Sequence, residues 1–131
     1  MPETASTTEF LLLSLGHWDP TKSKEEIQAA IDSFYNWHEK LVAEGKLKPG
    51  QRLATGGVVV SQDGITDGPF TETKEVIGGY WFVIAGSLEE AAAIVAESPC
   101  LACGLMYEIR PIEAERASAF RLSNETPTNA G

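Results

Sequence analysis

The chain has 131 residues, of which 43% are hydrophobic and 22% are charged, a composition typical of one ordinary globular domain. Ten lysine and arginine residues stand against 19 acidic residues, so the net charge is −9. Because binding to a phosphate backbone requires clustered positive charge, we expect no nucleic-acid partner. The longest early apolar run, Phe10 to Leu15, is too short for a signal sequence or a membrane span, which predicts a cytoplasmic protein without a membrane partner.

The first half of the chain predicts a strand followed by a helix. Phe10 to Leu15 is short and apolar, which is typical of a buried strand. Ser23 and Glu26 have the spacing of a capping box, and apolar side chains then recur at helical intervals as far as Leu41. Gly45 is expected to end this helix in the left-handed conformation.

The second half predicts a hairpin, a strand, a helix and a last strand. Residues 56–66 read as a hairpin with the Asp63-Gly64 pair preferred in type I′ turns, and Val58–Val60 is the expected second strand. Residues 78–86 are aromatic and β-branched, Ser87 opens a second capping box, and residues 105–113 alternate as a strand. The order is β-α-β-β-α-β with an added hairpin, the pattern of a ferredoxin-like α+β domain.

Two of the predicted strands suggest how the domain assembles. Val58–Val60 and Tyr80–Ile84 do not alternate between apolar and polar residues, so both faces of these strands are expected to be buried. Two helices can cover only one face of the sheet. The sequence therefore predicts a homodimer in which the second face packs against the same face of another subunit.

His38 is the principal candidate for catalysis. It lies on the apolar side of the predicted first helix and so faces the sheet. A histidine there can act as a general base or contact a ligand, or it can be a half-buried residue that bonds a backbone carbonyl. No acid at a fixed spacing identifies its partner, although Asp67 or Glu72 could serve as one in an enzyme.

The stretch Asp67-Gly-Pro-Phe70 is either a structural turn or part of a catalytic loop. The Gly-Pro pair predicts a rigid corner, which Phe70 would anchor. Asp67 would accept backbone N–H bonds from that corner, which lowers the pKa of its carboxyl group and disfavours a role as base. Glu72 and Lys74 follow on a loop, where they are either solvated or near the rim of a ligand pocket.

Other residues are candidates for ligand binding. Arg52 and Arg110 could each hold an anion, and each could equally pair with a neighbouring carboxylate. Trp81 would contribute to the aromatic lining of a pocket. Trp18, in the loop after the first strand, either belongs to a ligand-binding loop or packs over the edge of the core, and packing is the favoured interpretation.

Cys100 and Cys103 have the spacing of a redox pair. They follow a helix C-terminus, however, where the helix dipole disfavours a thiolate. Two thiols supply half the ligands of a structural zinc site, and the two histidines are distant in the sequence. We therefore predict neither a metal nor a cofactor. A metal site formed by residues of both subunits of the dimer is the remaining alternative.

Three stretches, TDGPFTETKEVIGGYWFV, SLEEAAAIVAESP and YEIRPI, resemble the DGPF-domain group of the YCII-related proteins. The resemblance covers about residues 9–113, and the polar segments 1–8 and 114–131 are expected to be a flexible N-terminus and a peripheral tail. It implies a ferredoxin-like fold that dimerises into an α+β barrel. The superfamily includes cofactor-free isomerases and monooxygenases, and some members of the family are encoded beside, or fused to, bacterial sigma factors.

The resemblance also implies that a catalytic pair is missing. Related YCII proteins have a proposed His–Asp dyad, and counting back from Gly45 and Pro99 puts Phe34 and Ser98 at its two positions. We therefore predict a dimer that binds or senses a small molecule and is linked to transcription regulation. The alternatives are a cofactor-free isomerase or lyase with His38 as base, and a scaffold that contacts a transcription factor.

Overall fold

The computed structural model of the protein describes residues 6–67 and 76–127. Its elements in chain order are β1 (Thr8–Leu15), α1 (Lys24–Ala43), β2 (Leu47–Arg52), β3 (Val58–Ser61), β4 (Gly64–Asp67), β5 (Ile77–Ala85), α2 (Leu88–Val95), a 3-10 helix (Pro99–Cys103) and β6 (Met106–Pro111). Within these residues, β2, β5, β1 and β6 form one antiparallel sheet in that order, and β3 and β4 form a separate hairpin. The predicted ferredoxin-like α+β fold with an added hairpin is confirmed.

The capping box at the start of α1 is present as predicted. Ser23 Oγ accepts a hydrogen bond from Glu26 N at 3.0 Å, and the Glu26 carboxylate accepts one from Ser23 N at 2.8 Å. Gly45 follows the helix with φ +77°, a conformation that side chains with a Cβ rarely adopt. The buried side of α1 presents Phe34, His38 and Leu41 to the sheet.

The second helix ends earlier than predicted, and a 3-10 helix follows it. Ser87 caps α2, but the Glu90 carboxylate accepts from Gly86 N at 2.8 Å instead of completing the capping box at Ser87. After α2 ends, Ser98 caps the 3-10 helix through Cys100 N. This short helix packs against α1 and the loop after β1, so it fixes one wall of the space between helices and sheet.

The second strand of the sheet is Leu47–Arg52, and the prediction of Val58–Val60 for this place is wrong. Strand β2 lies at the sheet edge, where a proline is tolerated because its missing N–H faces no partner strand. Its register shifts between Lys48 and Gln51. At Gly50 a Cβ atom would lie 1.8 Å from the backbone oxygen of Tyr80, so only glycine fits this close approach.

The hairpin is confirmed, but its predicted turn and burial are wrong. Ser61 pairs with Gly64, which makes Gln62 and Asp63 the two turn residues. A type I′ turn needs a positive φ at both of these positions, and no described residue other than glycine has one. Val58 and Val60 are 63% and 70% exposed, so the valine run is not a buried central strand.

The two faces of the sheet differ in burial. On the face covered by the helices, Leu12, Trp81 and Val83 are at most 6% exposed. On the opposite face, here called the open face, the side chains of β1 and β5 are half-buried in the single chain. They are largely apolar, and they comprise Leu11, Leu13, Tyr80, Phe82 and Ile84.

Neither of the helices formed by residues 6–67 and 76–127 combines the length and the apolar character that crossing a bilayer requires.

Candidate functional site

A cavity of about 190 Å³ lies between the helix layer and the sheet. Strands β1, β2, β5 and β6 contribute its base, and α1, the 3-10 helix and the loop after β1 close its sides. Ser14, Trp81 and Cys100 are buried, whereas Arg52 and Tyr35 are exposed and so mark its mouth. The lining residues are Ser14, Trp18, Ile31, Phe34, Tyr35, Arg52, Trp81, Cys100, Leu105 and Tyr107.

A group of uncharged polar side chains lies on one wall of the cavity. Tyr107 in β6 and Ser98 at the start of the 3-10 helix share a hydrogen bond of 2.9 Å between their hydroxyl groups. Burial raises the pKa of Tyr107 to about 12, and the Ser98 hydrogen bond and the positive charge of Arg52 oppose that rise. The tyrosine is therefore a neutral hydroxyl at ordinary pH, able to donate one hydrogen bond.

Burial also raises the pKa of the Cys100 thiol, against the lowering effects of a Tyr107 hydrogen bond and the Arg52 charge. The thiol Sγ of Cys100 lies 3.8 Å from the carbonyl oxygen of Ala30, to which it donates, and Cys103 Sγ lies 4.0 Å from that of Glu26. A protonated thiol is a weak nucleophile and a weak metal ligand. In the described ranges, no three His, Cys, Asp or Glu side chains cluster in a way that could hold a metal ion.

Arg52 reaches the cavity from the end of the edge strand β2. Glycines on the neighbouring strand give it space, because a Cβ atom at Gly78 would lie 3.0 Å from Arg52 Nη1. Among the described residues Arg52 forms no salt bridge, whereas Arg110 pairs with Glu108 at 3.3 Å. Arg52 also supplies the one formal charge in the cavity lining described above.

Aromatic side chains form another part of the lining. Phe34 in α1 meets Trp81 in β5 edge to face, with ring centroids 5.4 Å apart, and meets Tyr35 at the same distance. Trp18 packs against the hydrophobic core, as expected, and also lines the cavity. Since aromatic rings prefer such edge and offset contacts, this wall can accept a further flat apolar group.

His38 lies beside this cavity and does not line it. Its ring stacks on Phe34 with centroids 5.7 Å apart and meets Trp81 at 6.5 Å. Burial lowers the pKa of its imidazole, although the nearby Glu39 acts in the opposite direction. Its Nε2 atom is buried and has no hydrogen-bond partner among the described residues.

The family model of the YCII-related domain matches residues 10–115. The chain belongs to the YCII-related family. An uncharacterised protein of Rhizobium meliloti (strain 1021) is 33% identical to it over 97 residues, which cover 69% of this chain and 78% of that protein. The family resemblance seen in the sequence is thus confirmed, while membership of the DGPF group stays a prediction.

The structure of this YCII-related protein distributes the predicted site residues over several places. Arg52 and Trp81 both line the cavity. Arg110 lies on the open face, where it pairs with Glu108, and Asp67 ends the exposed hairpin strand β4. Phe70, Glu72 and Lys74 lie outside the described residues. The roles assigned to all of these residues stay predictions.

Several cavity residues were not identified from the sequence. Ser14 interrupts a run of leucines at a position that alternation places on the helix side of β1, and this was the available signal. Tyr107 is the corresponding residue of β6, directly opposite Ser14 in the sheet. The sequence points to Ser98 and Cys100 only as a dyad position and as half of a redox pair, and the packing of the 3-10 helix against α1 brings them to this wall.

Proposed function

We propose that this YCII-related protein is a small-molecule-binding dimer with one ligand cavity in each subunit. The observation that carries the proposal is the convergence of Arg52, Tyr107 and Ser14 on a cavity with aromatic walls. Small-molecule sites are typically concave and largely apolar, with a few polar groups that fix the orientation of the ligand. A pure scaffold would have no need of such a cavity.

The residues around the cavity favour binding over catalysis. Phe34 and Ser98 stand at the two positions where the family resemblance implies a catalytic His and Asp. Phe34 lines the cavity, and Ser98 bonds Tyr107, so neither supplies an ionisable acid or base there. His38 is packed between Phe34 and Trp81, with no described carboxylate bonded to it.

The dimer would form through the open face of the sheet. This face has half-buried apolar residues at its centre, where an antiparallel sheet facing water usually carries polar ones. Oppositely charged pairs flank the apolar centre: Lys48 with Glu9 at 2.5 Å, and Arg110 with Glu108 at 3.3 Å. A second copy related by a two-fold axis would bring apolar centre against apolar centre and charged edge against charged edge.

A charge introduced on the open face tests the dimer. Phe82→Glu should convert a dimer into monomers in light scattering at micromolar concentration, because it would bury an unpaired carboxylate in the interface. Phe120→Glu is the matched control, since Phe120 is 97% exposed in the C-terminal segment. Wild-type protein that is monomeric under these conditions would disprove the proposed assembly.

Ligand binding is tested by filling the cavity. Native mass spectrometry of freshly purified protein should reveal a co-purified small molecule, and Ser14→Leu should remove it. Ser14 lines the cavity, so the larger leucine side chain would occupy part of its volume. Ser118→Leu, in the exposed C-terminal segment, is the control for the added apolar surface. A ligand retained equally by Ser14→Leu would show that it binds elsewhere.

The link to transcription regulation that the resemblance implies stays a prediction. So does the enzymatic alternative with His38 as base. A dimer with a single occupied cavity per subunit is compatible with sensing, since a ligand that binds one dimer conformation more tightly than another shifts the population between them.

A further inference from the structure

We propose that the ligand of the cavity is a single-ring aromatic monocarboxylate, with its carboxylate at Arg52 and Tyr107 and its ring against Phe34 and Trp81. This inference rests on the proposed binding function and specifies its ligand class. Three properties of the cavity lead to it: the sign of its charge, the placement of its hydrogen-bond donors, and its size.

The charge of the cavity selects an anion. The chain carries a net charge of −9, yet among the described residues that line the cavity there is no aspartate or glutamate, and Arg52 is the one that carries a formal charge. Cys100 contributes an uncharged thiol, since its pKa is raised by burial. A positive group in a partly enclosed site attracts an anion more strongly than the same group in bulk water does.

The donors match a planar carboxylate. A guanidinium presents parallel N–H groups that fit the two oxygens of a carboxylate. Arg52 lines the same cavity as Tyr107 and Cys100. Tyr107 can accept a hydrogen bond from Ser98 and donate its own proton to the ligand. Ser14, on the same face of the neighbouring strand, offers a further hydroxyl.

The size and walls of the cavity limit the ligand to about one ring. A cavity of about 150 Å³ is large enough for benzene, and this cavity measures about 190 Å³. The volume beyond that needed for benzene accommodates a carboxylate and little more. The edge-to-face arrangement of Phe34 and Trp81 favours a flat aromatic body over a saturated ring of equal size.

Binding of benzoate to the 131-residue chain tests the inference, with titration calorimetry as the measurement. Three compounds serve as comparisons. Benzamide has the shape of benzoate but no charge, cyclohexanecarboxylate has the charge but a saturated ring, and acetate has the charge but no ring. We expect benzoate to bind at least about tenfold more tightly than benzamide and acetate, and about two- to tenfold more tightly than cyclohexanecarboxylate, the factor that one ring contact provides.

Two variants locate the carboxylate. Arg52→Gln should weaken benzoate at least about tenfold while leaving benzamide unchanged. Arg116→Gln, an equivalent exchange in the exposed C-terminal segment, should alter neither. Gly78→Ala should weaken benzoate as well, since its methyl group would displace the Arg52 guanidinium, and the melting temperature of each variant reports whether it folds.

Alkylation of Cys100 by iodoacetamide, read by peptide mass spectrometry, separates this inference from the proposed function. Benzoate should slow the modification of Cys100 in the wild type, because Cys100 lines the cavity. If benzamide binds as tightly as benzoate, or if Arg52→Gln keeps the full affinity for benzoate, the proposal of a carboxylate ligand is refuted. The cavity would then bind a ligand without using the charge of Arg52. If none of the four compounds slows the alkylation of Cys100, and the purified protein also carries no small molecule, both the ligand class and the proposed binding function are refuted.

Discussion

Replacing His38 with leucine should leave the protein about as stable as the wild type at pH 7.5. The imidazole Nε2 atom is buried without a described partner, and such an atom costs about 1–3 kcal/mol of stability. Leucine removes that cost, but it also removes the ring contact with Phe34, which is worth about 0.5–1.5 kcal/mol. The two effects nearly cancel, so we expect a change in the free energy of unfolding within about 1 kcal/mol.

The same exchange should change how stability depends on pH. Burial lowers the pKa of His38 in the folded protein below its unfolded value of about 6.5, so below that pH the unfolded chain binds more protons. The stability contributed by neutral His38 is therefore full above pH about 6.5 and is lost as the pH falls towards the folded pKa. The slope is at most about 1.4 kcal/mol per pH unit, and His38→Leu should lack it.

Urea denaturation followed by tryptophan fluorescence at pH 7.5 and pH 5.5 measures both effects. His17→Leu is the matched control, because His17 is exposed in the loop after β1. This variant should keep the loss of stability below pH about 6.5 that His38 causes. Two results would refute the reasoning. One is a loss of more than about 3 kcal/mol in His38→Leu at pH 7.5, which would mean that the imidazole makes a strong bond. The other is an unchanged acid slope in that variant.

Three further results are expected. Gly50→Ala should destabilise the protein by about 3 kcal/mol in urea denaturation, since its methyl group would collide with the backbone of Tyr80. Gly86→Ala should cost much less, since its Cβ would approach a flexible carboxylate and make an ordinary contact with the backbone oxygen of Ser6. Ser23→Ala should cost about 1 kcal/mol of stability and Ser23→Asp should restore it, because aspartate also caps helices; equal losses in both would contradict the capping role. An absorbance titration should show a tyrosine step near pH 12 that Tyr107→Phe removes, and stability should fall as the pH rises above about 10; steps confined to the ordinary range would contradict the burial of this hydroxyl.

The helices were predictable because their signals are local. A capping box depends on residues three positions apart, and Ser23 with Glu26 forms one whatever the rest of the chain does. The start of α2 was predictable for the same reason. Its end was predicted about two residues late, because Pro99 does not itself end the helix but opens the 3-10 helix that follows.

The second strand could not be recognised from its composition. Leu47–Arg52 contains Lys, Pro and Gly, which are depleted in strands, and it is held in the sheet by pairing with β5. Val58–Val60 has the composition of a buried strand and lies instead in an exposed hairpin. In both segments the place in the structure depends on which strand the segment pairs with. Pairing depends on the whole chain, so it cannot be read from the strand propensity of one segment.

Part of the cavity was predictable, and the way its members combine was not. Arg52 and Trp81 were identified by residue type, as an anion-binding and an aromatic candidate. The polar wall, however, joins Ser14, Tyr107 and Ser98 from three separate elements. Only the register of β1 with β6 and the packing of the 3-10 helix against α1 bring them together, and neither is encoded in a short motif.

The serine at position 98 bears directly on what the cavity can bind. An aspartate there, as the family resemblance implies for related proteins, would put a carboxylate within bonding distance of Tyr107, which lines the cavity together with Arg52. That carboxylate would compete with an anionic ligand for both donors and would repel it. Serine keeps the hydrogen bond to Tyr107 and adds no charge. In the proposed site, Ser98 therefore leaves Arg52 and Tyr107 available to an anion, whereas an aspartate at this position would not.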